Sequence, residues 1–205
     1  MDPVGVYMAK KNTDLIMRDR LQFTIGTNGD MDVVYGRIDL SDYVNTVNKK
    51  GLAVKEVRFQ VRDPSTPNTG SFNQQLAVEG ATSTNPASAF LKLFATTTAY
   101  ENAADVGLGS PNVFALVEHQ HYITVVQEAT QNVGGNQDIS YFEFGTPDLH
   151  PDGYTVVTDI LIGVASEGCT RYTGETLEVD IMLIAEPITV SQKELNEMLV
   201  QAQDL

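Results

Sequence analysis

The sequence predicts an all-β domain, a sandwich or barrel of some nine strands followed by one short helix. Three observations predict it. Apolar and polar residues alternate with a period of two along most of the chain. Clusters of Gly, Pro, Asn and Asp interrupt that alternation at strand-sized intervals. Only the segment after Val190 carries a helical period.

The elements follow in order. Leu21-Gln-Phe-Thr-Ile25 alternates and breaks at Gly26-Thr-Asn-Gly29-Asp30, a turn composition. Asp32–Ile38 resumes as a strand. Residues 39–45 read as a short helix or turn with Ser41 as its cap, and Asn48-Lys-Lys-Gly51 reads as a turn. The clearest strand is Lys55–Arg62. Val57, Phe59 and Val61 point one way and Glu56, Arg58, Gln60 and Arg62 the other, so one face is buried and one is wet. Residues 63–70 are a loop by composition. Phe72–Val78 and Ala89–Thr97 are expected strands, separated by the turn residues 80–86. After a loop over residues 100–111 come Val113–Val126, Ile139–Phe144, Tyr154–Val164 and Leu177–Ile184. Ser191-Gln-Lys-Glu194 is a capping box, which satisfies free backbone N–H groups at a helix start. Leu195, Met198, Leu199, Ala202 and Leu205 then share one helical face. A helix this short is marginal alone and must dock.

A chain of 205 residues can bury a core without staples. Its single cysteine, Cys169, excludes an internal disulfide and reads as a buried small hydrophobe. The N-terminus lacks the basic start and apolar run of a signal peptide, so synthesis is expected in the cytosol. No apolar run is long enough for a membrane-spanning helix. Positive charge is concentrated at one end: residues 1–62 hold 10 of the 13 Lys and Arg against 8 Asp and Glu, about +2. Residues 63–205 hold 3 basic against 19 acidic residues, −16, which completes the net −14. Such asymmetry suggests a partner or a neighbouring copy.

Motifs for chemistry are sparse. There is no Gly-x-Ser-x-Gly, and Val133-Gly-Gly-Asn lacks the lysine of a phosphate loop. Asn28-Gly-Asp-Met-Asp32 is a fragment of a calcium loop. His119 and His121 share one face of a strand, a common start for a metal site. His119-Gln-His121 resembles the first motif of the cupins, small metal-binding jelly rolls that include enzymes and sugar-binding modules. The following Glu is displaced to Glu128. Gly145, Pro151 and Gly153 match the spacing of the second cupin motif, but Val156 stands where its histidine belongs. The competing reading puts His119 and His121 on a sheet's polar face, and no metal ligand, catalytic residue or cofactor is assigned.

The segment from Arg37-Ile-Asp-Leu-Ser-Asp-Tyr-Val-Asn through Lys49-Lys50-Gly51 to the strand ending at Val61 resembles a stretch in capsid proteins of small icosahedral viruses, particularly those with circular DNA genomes. The resemblance implies a single jelly roll of about eight strands in two four-stranded sheets over residues 21–190. An N-terminal arm (1–20) and a C-terminal helix (191–205) flank it. It implies a structural protein of the virion, made in the host cytoplasm or nucleus, that assembles with copies of itself and with other virion proteins and needs no cofactor. Lys10, Lys11, Arg18, Arg20, Leu195, Met198 and Leu199 are the expected subunit or genome contacts. The chain lacks the densely Arg-rich arm of many such proteins, so direct nucleic-acid binding is expected to be weak or absent. A third expectation is another virion part, such as a tail or spike β-sandwich.

Overall fold

The structure, a computed structural model, describes residues 14–77, 87–128, 131–144 and 152–201. These form nine strands and one helix: β1 (Leu15–Thr24), β2 (Met31–Ile38), β3 (Lys50–Arg62), β4 (Ala87–Thr96), β5 (Val113–Glu128), β6 (Gln131–Phe144), β7 (Tyr154–Val156), β8 (Ile160–Glu167), β9 (Thr176–Thr189) and α1 (Gln192–Gln201). Two sheets face each other, in the orders β1-β9-β3-β7 and β2-β8-β4-β5-β6.

The pairing is nested. β1 pairs with β9, β2 with β8, β3 with β7 and β4 with β5, all antiparallel. The chain is thus a ribbon folded back on itself. Rolling that ribbon adds the contacts β3–β9 and β4–β8. This is the jelly roll, with β6 added as a ninth strand beside β5.

Side-chain parity fills the core. Leu52 and Val54 are buried, and so are Val57 and Val61 further along the same strand. An even-numbered pair and an odd-numbered pair can share a face only if one residue is added between them. Val54 pairs with Ala185 and Glu56 with Ile184, leaving Lys55 as a bulge. Leu91, Leu93, Ile160, Ile162, Val164, Val179 and Leu183 complete the interior from the other strands.

Several boundaries depart from expectation. β1 starts at Leu15, so Arg18 and Arg20 belong to the sheet rather than to an arm. The expected strand at 72–78 does not form over its described part: residues 72–77 are an irregular strap whose one β-bridge lies just before it, between Ser71 and Arg62. Residue 78, the expected turn 80–86 and most of the arm lie outside the described residues. The run Tyr154–Val164 is two strands, β7 and β8, separated at 157–159. There Asp159 turns its carboxylate to the Arg37 guanidinium and accepts from the Leu40 N–H at 2.9 Å. No helix among the described residues is long and apolar enough to cross a membrane.

Candidate functional site

The charge asymmetry is resolved inside the first sheet. Nesting sets the basic strands β1 and β3 on either side of acidic β9. Arg20 donates to Asp180 through Nε at 2.5 Å and Nη2 at 3.2 Å. Glu178 receives Gln22 Nε2 at 2.9 Å and faces Arg20 and Arg62 at 3.4 Å each. Lys55 bridges Asp14 and Glu186 at 2.8 Å each. Arg58 holds Glu56 at 2.5 Å and reaches Glu143, on β6 of the opposite sheet, at 3.3 Å. The hydrogen bond from Arg20 holds the Asp180 carboxyl below its ordinary range. The expectation that opposite charges serve a neighbouring copy is therefore corrected for these residues: their ion pairs close within one chain. Arg18, exposed on the same face opposite Met182, makes no ion pair among the described residues. Lys10 and Lys11 lie outside them.

The outer face of the second sheet is roofed. Residues 97–112 fold over Phe94 and Leu116 and add Val106 and Tyr100 to a small separate cluster. Tyr35 OH donates to the Tyr100 carbonyl at 3.1 Å and accepts from the Tyr100 N–H at 2.7 Å. Lys92 Nζ donates to the carbonyls of Ala103 and Val106 at 3.2 and 2.9 Å and sits 3.4 Å from Glu118. A groove of about 820 Å³ opens beside this roof, with Asp30, Asp32, Glu101, Glu118 and Glu167 among its lining residues. Beneath it Gly163 lies against the Phe94 ring, where a Cβ would collide.

The paired histidines point into the sandwich, not onto a polar face. On β5 they continue the parity of Ala115 and Val117 and lie opposite Leu91 and Ala89 of β4. His119 is 7% exposed and His121 fully buried. The strap 71–77 covers them. Phe72 meets the His119 ring edge-on at 5.5 Å, and Tyr141 tilts against it at 5.0 Å. The Ala77 N–H donates to His121 Nδ1 at 3.0 Å. Burial pushes the His119 pKa down to about 4 and lowers that of His121. His119 Nδ1 and His121 Nε2 have no hydrogen-bond partner among the described residues. No three of His, Cys, Asp and Glu converge among the described residues into a metal set. Two neutral imidazoles packed against rings and an amide serve as core residues here.

The strap is itself fastened. Tyr172 OH accepts from the Asn73 N–H and donates to the Asn73 carbonyl, both at 2.9 Å. Its ring stacks on Phe72 at 5.4 Å. Arg171 Nε donates to the Gln75 carbonyl at 2.6 Å, and Gln75 Nε2 donates to Gln137 Oε1 at 3.1 Å. Phe72 and Leu76 carried the only sequence signal for this element, and their spacing fits a strand equally well.

The helix forms as the capping box predicts: Ser191 N–H donates to Glu194 Oε2 at 2.9 Å, and Glu194 N–H to Ser191 Oγ at 3.3 Å. Its apolar stripe faces its own domain. Leu195 is 3% exposed against Val157 and Val190, with Met198 beside it. Leu195 is thus an internal contact, because its apolar surface is covered within the chain, whereas Met198 is only partly covered. Leu199 lies on the same helix. Cys169 is buried, donates to the Phe90 carbonyl at 3.2 Å, and burial pushes its thiol up to about 12. It is inert packing, as expected.

No protein-family model and no curated protein matches the chain. Among solved structures, the tailspike protein of Acinetobacter baumannii phage AM24 is aligned at 10% identity and a TM-score of 0.15, over 83% of this chain and 26% of that one.

Proposed function

We propose that the chain is a structural protein of a virus particle, a jelly-roll subunit that associates with its own copies to form the shell. The nested strand order, first with last, carries this reading, together with the resemblance at Arg37–Val61. Function in such a protein resides in surfaces, and the surfaces here are suited to it. Long loops such as 63–70 and 97–112 are pinned by hydrogen bonds rather than left loose. The outermost strand β6 exposes Ile139, Tyr141 and Phe142, each about 40% or more accessible, and the described stretch of that edge from 137 to 144 has no lysine or proline to block pairing. In this reading the chain performs no catalysis and needs no cofactor. Genome contact is minor, because Arg20, Lys55, Arg58 and Arg62 already hold carboxylates of their own sheet.

Electron microscopy and light scattering of the purified chain over a range of salt and pH test the proposal. Uniform closed particles are the expected result. A monomer or small ring under every condition would overturn the shell and favour another virion part. Stoichiometric zinc, iron or manganese in the purified protein, lost in His119→Ala, would instead favour a cupin-like metal protein.

A further inference from the structure

We propose that the strap 71–77 is an acid-released latch, and that its trigger is protonation of His121 at Nδ1. The inference concerns a single chain and does not depend on the shell reading.

The bond that holds the strap end is of an unusual kind. The Ala77 backbone N–H donates to His121 Nδ1 at 3.0 Å in a fully buried position. A ring nitrogen that accepts cannot carry a proton, so the bond fixes the neutral tautomer with its hydrogen on Nε2. Adding a proton to Nδ1 turns the acceptor into a donor. Two N–H groups then face each other at hydrogen-bond distance in a buried position. One of them must move, and the strap is the part outside the strand ladders: its described residues 72–77 belong to neither sheet.

Among the described residues, the surroundings give the imidazolium no counter-ion. Beside His121 stand Ala89 on β4, Ile139 and Gln137 on β6, and Gln75 and Leu76 on the strap. Burial opposes protonation most, Gln137 favours it, and the Arg171 charge on the neighbouring turn opposes it to a smaller extent. Around His119 stand Leu91, Phe72 and Tyr141. The next residue on that face of β6, Glu143, is held by Arg58. Tyr172, near Asp63 and Arg171, keeps its phenol proton, which burial pushes toward higher pH. The sign follows. The latched state lowers the His121 pKa, so the latch holds fully above the ordinary histidine range near 6.5. It weakens as pH falls toward the lowered value, since the released state binds the proton more tightly. Release frees the Ala77 end of the strap over His121, while Asn73, Gln75 and Leu76 keep their bonds to Tyr172 and Arg171 and no strand pair parts.

Amide hydrogen exchange of the full chain from about pH 7.5 to about pH 4.5, corrected for intrinsic rates, tests the latch. Ala77 protection should fall about tenfold, the equivalent of one net hydrogen bond. Its midpoint should coincide with the His121 ring titration read by NMR, and its fall should exceed the general loss at β8 and β9 that acid destabilisation through His119 brings. His121→Gln offers an acceptor that does not titrate, and its Ala77 protection should persist in acid. Three results would overturn the proposal: constant Ala77 protection through the His121 titration, a fall at Ala77 no larger than that at β9, or equal acid release in His121→Gln. Should His121→Gln fail to fold at neutral pH, the comparison of midpoints in the wild-type chain decides alone.

Discussion

Arg20 and Asp180 stand directly opposite each other on the first and last strands, joined by two hydrogen bonds on the solvent face. One residue pair along, Gln22 faces Glu178, whose side chain is only 9% exposed and receives Arg20, Arg62 and Gln22. Burial should separate the two carboxylates in importance. Asp180→Ala removes a partly exposed pair and is expected to change stability by less than about 1 kcal/mol. Glu178→Ala removes the nearly buried acceptor shared by Arg20, Arg62 and Gln22, leaving Arg20 and Arg62 only Asp180, and should cost about 2 kcal/mol. Urea unfolding of the two variants gives the ranking, and the reverse order would show that the row acts through exposed charge.

His119 should make the fold acid-sensitive. Its pKa, about 4 in the folded chain against 6.5 unfolded, means that the unfolded state binds the proton first. The His119 contribution is complete above pH 6.5 and declines as pH falls toward 4, by on the order of 3 kcal/mol in all. His119→Phe preserves a ring between Phe72 and Tyr141 and should flatten that slope. Urea midpoints across this range check it.

The helix should matter to the subunit itself. Leu195→Ala opens a cavity against Val157 and Val190 and is expected to destabilise the domain by about 2–4 kcal/mol. Val200→Ser, at 57% exposure on the same helix, should be nearly neutral. Thermal melts of monomeric protein distinguish this from an effect confined to assembly.

Gly163→Ala should cost about 1–3 kcal/mol, because the added methyl enters the Phe94 ring. Phe94→Leu makes room, so the double variant should recover part of the loss. A double-mutant cycle with additive losses would place the strain elsewhere.

Cys169 should resist alkylation and disulfide exchange at about pH 8 in the folded chain and react only on unfolding. Its burial and its raised pKa act together. Fast labelling of native protein would show that the turn at 168–172 opens locally.

What was legible in the sequence was mostly local. Val57, Phe59 and Val61 display their face by alternation alone, and Ser191 with Glu194 announces the helix start. Partnership between strands was not legible, because parity says which side a residue faces and not which strand lies beside it. Hence the basic end was read as a surface for another copy, although folding places it against β9. The Lys55 bulge likewise joins two locally regular patterns whose change of phase is visible only from the partner strand. The strap is illegible for another reason: Phe72 and Leu76 pack on the core while Asn73, Gln75 and Ala77 are held by long-range hydrogen bonds, which leave no period. Asp159 broke the run Tyr154–Val164 through a long-range bond to the Leu40 amide, which no local rule contains.

The closing of charge pairs within one sheet has a consequence for how copies meet. Each chain pairs Arg20, Lys55, Arg58 and Arg62 with its own carboxylates and carries a net charge of −14. In the proposed shell, copies would therefore approach as like-charged colloids, repelling over roughly a Debye length of about 8 Å at physiological ionic strength. Contact between them must come from apolar and backbone groups at close range, with added electrolyte lowering the barrier. Association is then expected to strengthen with salt, the opposite of the response of an assembly joined by opposite charges.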